Sequence, residues 1–148
     1  MAKSLIALVS LAAASVLGPA SGQEPPSLCL TEVFEDAAAA TSIKAHFLKE
    51  LARRESGFDS TAKASSSSAT GMFQFTTQTW LRVIKRYGER HGLNVESRAI
   101  TIGPQRAAVG AEAEKHILNL RYDPRVAALM AAELINENRT IMQSALGR

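Results

Sequence analysis

The chain has 148 residues, is 46% hydrophobic and 21% charged, and carries a formal net charge of +3; that length supports one compact domain with a core of its own. A single cysteine, Cys29, excludes an internal disulfide. The mild positive charge suits contact with an anionic polymer, although many proteins carry as much for solubility alone.

Lys3 precedes an apolar run from Leu5 to Leu17, and the following Gly-Pro-Ala-Ser-Gly-Gln has small residues at Ala20 and Gly22. This reads as a secretory signal peptide over residues 1–22, too short to span a membrane, with cleavage after Gly22. The expected mature protein is exported, periplasmic or secreted, and has no membrane span. Residues 23–30 form a proline-containing leader, and the folded domain is expected over 31–148. Cys29 lies well beyond the apolar run, outside a lipoprotein context, and is expected to be buried or unpaired.

From there the pattern is all-α. Residues 31–41 are alanine-rich and lack glycine and proline, which predicts a short helix. A second helix is expected over 42–55, with Ser42 as N-cap and Gly57 as stop. The stretch 58–75 is rich in serine and threonine, whose hydroxyls compete with helix hydrogen bonds. It could be a spacer, but it ends in aromatic residues on both sides of Gln74, so an ordered loop is expected. Residues 76–92 return to helical spacing, with Trp80, Val83, Ile84 and Tyr87 on the apolar face and Arg82, Lys85, Arg86 and Arg90 mostly off it. Pro104 is expected to open a helix reaching about Arg121. Asp123-Pro124 is a strong start for a last helix carrying Val126, Leu129, Met130, Leu134 and Ile141. No strand alternation stands out.

One residue interrupts this pattern. In the second helix, Ile43, Phe47, Leu48, Leu51 and Ala52 define the side to be buried. At about 100° per residue, Glu55 lies within roughly 20° of Leu48. Burial and the negative end of the helix dipole both raise a carboxylate's pKa, so Glu55 is expected to be a proton donor near neutral pH. The plainer alternative is an exposed glutamate, or one paired with Arg53 or Arg54. Glu133 also falls on an apolar stripe, and a buried ion pair with an arginine is the preferred reading for it.

The segments around Glu55 resemble the lytic transglycosylases of the SLT type, in the goose-lysozyme-like superfamily. Their Glu-Ser-x-Phe motif is matched by Glu55-Ser56-Gly57-Phe58, and their Gly-Ala-x-Gly-Leu-Met-Gln loop by Ser68-Ala69-Thr70-Gly71-Met72-Phe73-Gln74, with Thr79 near the head of the next helix. The downstream Asp-Pro-x-x-Asn-Ile stretch is echoed from Asp123 to Ile135. Departures are Ser68 for glycine, Phe73 for methionine, Thr77 where proline is common, and Ala127, Ala131 and Leu134 downstream. The family's Ala-Tyr-Asn-Ala-Gly-like cleft segment has no counterpart, so the C-terminal part of the family fold is expected to be missing.

The resemblance implies an all-α, lysozyme-like domain. It further implies cleavage of the β-1,4 bond between N-acetylmuramic acid and N-acetylglucosamine in peptidoglycan, with 1,6-anhydro product and no cofactor. Glu55 would act as acid and then base. Ser56, Ser68, Met72, Phe73 and Gln74 would meet the substrate, although core packing is an equal expectation for Met72 and the phenylalanines. The alternatives are a muramidase that uses water and a non-catalytic glycan-binding or assembly protein. Histidines 46, 91 and 116 lack metal-ligand spacing, so no metal is expected. No nucleic-acid signature accompanies the basic stretch 82–91.

Overall fold

The computed structural model describes residues 29–147; the expected signal peptide and most of the leader lie outside them. Six α-helices and one small antiparallel hairpin follow in order: α1 (Leu30–Thr41), α2 (Ala45–Ser56), α3 (Thr77–Tyr87), α4 (Asn94–Ala99), β1 (Ile100–Ile102), β2 (Ala107–Val109), α5 (Ala111–Asn119) and α6 (Pro124–Ala145), with short 3-10 turns after α3 and α5.

The core is built where α1, α2 and α3 meet α6. Helix α1 contributes Val33, Phe34 and Ala37, and it lies against the alanine-rich side of α6, where Ala127, Ala128, Ala131 and Ala132 are buried. Small side chains on both helices let the backbones approach closely. Helix α3 buries Trp80, Val83, Ile84 and Tyr87, the face expected from its spacing. Trp80 satisfies its indole N–H by donating to the Ile117 carbonyl at 2.7 Å, which ties α3 to α5.

Helix boundaries follow local chemistry. Asp123 caps α6, its carboxylate accepting from the backbone N–H groups of Arg125 and Val126 at 2.8 and 3.1 Å, with Pro124 at the first helical position. Gly57 ends α2 in the left-handed region at φ 63°. Ser42 differs from expectation: it closes α1 rather than opening α2, standing at φ 62° with its N–H on the Ala38 carbonyl. The Asn136 amide of α6 donates to the Thr41 carbonyl at 2.6 Å and helps hold that end. Helix α2 therefore begins three residues later, at Ala45.

Residues 100–109 are a second difference. Pro104 does not open a helix; it sits in the turn of the hairpin, where Ile100 pairs with Val109 and Ile102 with Ala107. The β-branched Ile-Thr-Ile run favours extended backbone, and proline suits a turn as well as a first helical position. Gln78 of α3 docks β2, accepting from the Ala107 N–H at 2.9 Å and donating to its carbonyl at 3.2 Å. The hairpin is a small annex to a largely helical fold. Among the described residues, no helix is long and apolar enough to cross a membrane.

Candidate active site

The serine-rich segment after α2 is an ordered loop, as its aromatic ends suggested. Thr70 and Phe75 exchange backbone hydrogen bonds at 3.1 Å in both directions, and Gly71 N–H reaches the Ala62 carbonyl at 2.8 Å. Phe58 and Phe73, one near each end, pack on Phe34 of α1 with ring centroids 6.3 and 6.4 Å away. Arg121 braces the loop from beneath. Its Nη1 donates to the carbonyls of Ser68 (2.9 Å) and Phe75 (3.2 Å), and its Nε to that of Leu118 (3.0 Å). Burial lowers the pKa of this guanidinium below its ordinary value, yet an arginine stays charged, and its Nε and Nη1 each find backbone acceptors.

The loop turns sharply at Gly71–Gln74. Gly71 stands at φ 79° and Gln74 at φ 49°, both in the left-handed region. The Gly71 carbonyl accepts twice from Gln74, from its backbone N–H (3.1 Å) and from its side-chain Nε2 (2.8 Å). The second bond fixes the amide and leaves its Oε1 as the free acceptor. Across from this turn, the hydroxyl of Ser56 donates to the Met72 carbonyl at 2.8 Å. The end of α2, and with it Glu55, is thereby tied to the loop that carries Gln74.

These constraints open a groove of about 340 Å³ in which Glu55 and Gln74 share one lining. One wall is the α2 row Phe47, Leu51 and Glu55, spaced by four; a second is Phe73, Phe75, Thr76 and Thr79. The third comes from Ala131, Leu134, Ile135 and Asn138 of α6. Phe47 and Leu51 of the first wall, and the whole of the third wall, are not among the site residues expected from the sequence. Their signal was present: apolar or small residues recur at helical spacing beside the buried faces of α2 and α6.

Glu55 is exposed, contrary to the expected burial. Its direction on the helix matches that of Leu48, which is fully buried. However, it lies seven residues on, about 10 Å farther along the axis, where the core partners of Leu48 end and the groove begins. Phe47, in the same row as Glu55, is likewise 52% exposed. Of the two plainer alternatives, the exposed glutamate is the one the structure shows, and the arginine pair is not realised: Arg53 bonds Glu50 at 2.9 Å, and among the described residues Glu55 enters no ion pair.

Of the other expected contact residues, Phe73 and Gln74 line the groove, whereas Ser56, Ser68 and Met72 do not. Ser56 spends its hydroxyl on Met72. The Ser68 hydroxyl accepts from the Thr77 N–H at 3.1 Å, outside the groove and next to the start of α3. Met72 is 1% exposed and belongs to the core, anchoring the loop. Glu133 is buried as expected, 3.5 Å from Arg90 Nη1, and its nearer partner is His91 Nε2 at 2.9 Å. Cys29 is an exposed free thiol. The described residues contain no cluster of His, Cys, Asp or Glu able to hold a metal.

A carboxylate and an amide are brought together across a fixed loop, in a groove walled by three helices and aromatic side chains. The sequence model of the transglycosylase SLT domain matches residues 32–105, half of the chain, running from α1 through α2, the loop and α3 into the hairpin. With its all-α, lysozyme-like architecture, the chain belongs to the transglycosylase SLT-domain family.

Proposed function

We propose that the protein is a peptidoglycan lytic transglycosylase cutting the β-1,4 bond between N-acetylmuramic acid and N-acetylglucosamine. The observation that carries this reading is the shared lining of Glu55 and Gln74 in one groove. Glu55, as the neutral acid, gives its proton to the glycosidic oxygen as the C1–O bond breaks. The resulting carboxylate takes the proton of the muramyl 6-hydroxyl as that oxygen bonds C1. The product is a 1,6-anhydro end, no water enters, and Glu55 regains its proton. The attacking group belongs to the substrate, so its effective concentration is high.

The groove chemistry favours this route over hydrolysis. Glycosidases that use water generally need two carboxyl groups flanking the bond. Among the described residues that line the groove, no second carboxylate accompanies Glu55. Because Glu55 is exposed in the free protein, its desolvation is left in this reading to the substrate, whose sugar rings lie across Phe47 and Leu51 and the rims of the buried Phe73 and Phe75. Gln74, with its amide N–H held by Gly71, offers Oε1 to a hydroxyl or acetamido N–H of the bound sugar. Export through residues 1–22 would deliver the enzyme to its wall substrate.

Incubation of the mature protein with purified sacculi tests the reading. A lytic transglycosylase releases muropeptides one water lighter than those of a muramidase, and Glu55→Gln abolishes release while glycan binding persists. The exposure of Glu55 favours one rival, a non-catalytic glycan binder. That rival is established if the unsubstituted protein binds sacculi but releases nothing.

A further inference from the structure

A second groove, about 230 Å³, continues from the first along the seam between α3 and α6. Thr79, Leu134 and Asn138 line both, so one extended ligand passes from Glu55 into it without leaving the surface. Three of its five new members are charged, Arg82 and Arg86 from α3 and Glu137 from α6, beside the apolar Val83 and Ile141. Arg82, Arg86 and Arg90 recur every four residues along α3 and the turn after it, but they are not equivalent. Arg86 is ion-paired with Glu137 and lies 5.6 Å from the Tyr87 ring centroid. Arg90 is engaged by Glu133 at 3.5 Å and sits 5.0 Å from the same ring. Arg82 is exposed, enters no ion pair among the described residues, and lines the groove with an uncompensated positive charge.

We propose that this groove is a subsite for a carboxylate borne by the glycan, received by Arg82 with Thr79 and Asn138 as neutral partners. The proposal rests on the glycan reading of the Glu55 groove and adds to it a specificity for anionic substituents. A planar guanidinium takes a carboxylate through two parallel N–H donors. Thr79 Oγ accepts from the Thr76 hydroxyl at 3.0 Å, which leaves its own proton free to donate. Glu137 tempers the site by neutralising Arg86. In peptidoglycan the carboxylates sit on the peptide stems and, where a stem has been removed, on the lactyl group of the muramyl unit. Both present the same chemistry to Arg82.

Binding separates the subsite from catalysis. In a Glu55→Gln background, affinities are measured by co-sedimentation and calorimetry for three probes: peptide-bearing glycan strands, the same strands with carboxylates converted to amides, and strands stripped of peptide by an amidase. Arg82→Gln should weaken binding to peptide-bearing strands by about 3- to 5-fold, the scale of one exposed ion pair, with the deficit shrinking at high salt. It should leave the amidated strands unaffected. Glu137→Gln, which frees Arg86, should tighten binding to the anionic strands. A deficit persisting on stripped strands shows that Arg82 takes the freed lactyl carboxylate as well as the stem's, and its disappearance there confines the contact to the stem. Equal loss on amidated and free-acid strands, or no loss on either, overturns the subsite. Failure of the unsubstituted protein to release anhydro-muropeptides would instead sink the lyase reading alone, because the affinity comparison does not depend on turnover.

Discussion

The backbone carbonyl oxygen of Arg121 occupies the space that a Cβ on Gly71 would need, with the Arg121 carbonyl carbon 3.1 Å from that position. The contact joins the segment before α6 to the turn that presents Gln74, and it leaves no room for any side chain at residue 71. Gly71→Ala must overcome both this overlap and a φ of 79°. The expected cost is about 3 kcal/mol, roughly 1 for the left-handed backbone and 2 for the displaced neighbour. Gly57→Ala is the control, since its φ is similarly positive at 63° but nothing lies within 4 Å of its Cβ. Calorimetric unfolding should place Gly71→Ala about 2 kcal/mol below Gly57→Ala, and equal stabilities would show that the close approach does not matter.

Arg121 itself is the second test. Arg121→Met preserves much of the side-chain volume but removes the guanidinium donors to the carbonyls of Ser68, Phe75 and Leu118, of which Phe75 keeps the Thr70 N–H and Leu118 the Leu120 N–H. The three lost bonds from a charged donor are worth about 1 kcal/mol each in net terms, so a loss of about 3 kcal/mol is expected. The loss should be local as well as global. Amide exchange and protease cleavage within residues 58–75 should accelerate more than in α3, whose core does not depend on this brace. Uniform acceleration over the whole domain would show that Arg121 serves general stability only.

Ser56→Ala cuts the bond from the end of α2 to the Met72 carbonyl. That carbonyl lies in a partly hydrated region, so the stability loss should stay near 1 kcal/mol. Turnover should fall by about 10-fold or more, because a small displacement of Glu55 relative to Gln74 weighs heavily on a positioned proton transfer. Steady-state kinetics on sacculi check this, with the deficit expected in kcat rather than in KM. Unchanged kcat would mean that the tie has no part in positioning the acid.

How far the site was legible follows from these same residues. Asp123-Pro124 and Gly57 were readable because a cap side chain and a left-handed stop act within a few residues of themselves. The ordered loop was readable from the aromatics on both sides of Gln74, of which Phe73 docks on Phe34 and Phe75 on Trp80. Ser42 misled because serine suits both an N-cap and a left-handed C-cap, and the choice is made by Asn136, ninety-four residues away in sequence. Pro104 misled for the same kind of reason: turn and helix start share its φ, and Gln78 selects the turn by pairing with Ala107. The exposure of Glu55 lay beyond a helical projection altogether. Angle around the axis is encoded in spacing, but distance along it matters only once the neighbours that end above Leu48 are known. Likewise Arg121, a basic residue near a chain turn, carries no local sign that the distant carbonyls of Ser68 and Phe75 will converge on it.

Glu133 offers a contrast to Glu55, a buried carboxylate in an ion-paired cluster rather than an exposed one in a groove. Glu133→Gln keeps the shape while weakening the contacts to His91 Nε2 and Arg90. A loss of about 1–2 kcal/mol in stability is expected, with turnover on sacculi unchanged at temperatures well below unfolding. Thermal melts and initial rates together decide the matter. Loss of activity in a folded Glu133→Gln protein would require Glu133 to act on the reaction, a role for which its position outside the Glu55 groove provides no path.

On the proposed lyase reading, the open setting of Glu55 makes turnover depend on how much of the groove the substrate covers. In the free protein the acid faces water, while Phe47, Leu51, Phe73 and Phe75 around it offer apolar surface to sugar rings. A short oligosaccharide leaves part of that surface wet, and binding energy made far from the scissile bond is then missing at the transition state. Chain length should therefore raise kcat and not only lower KM. Replacing Leu51 with Ser, at the centre of the α2 wall, should flatten that dependence by admitting water beside the acid, with long strands losing about 10-fold and short ones little. Rates on glycans of graded length distinguish this from simple affinity. If kcat is the same for short and long strands and only KM changes, the substrate does not dry the acid, and Glu55 must already be competent as it stands in the free groove.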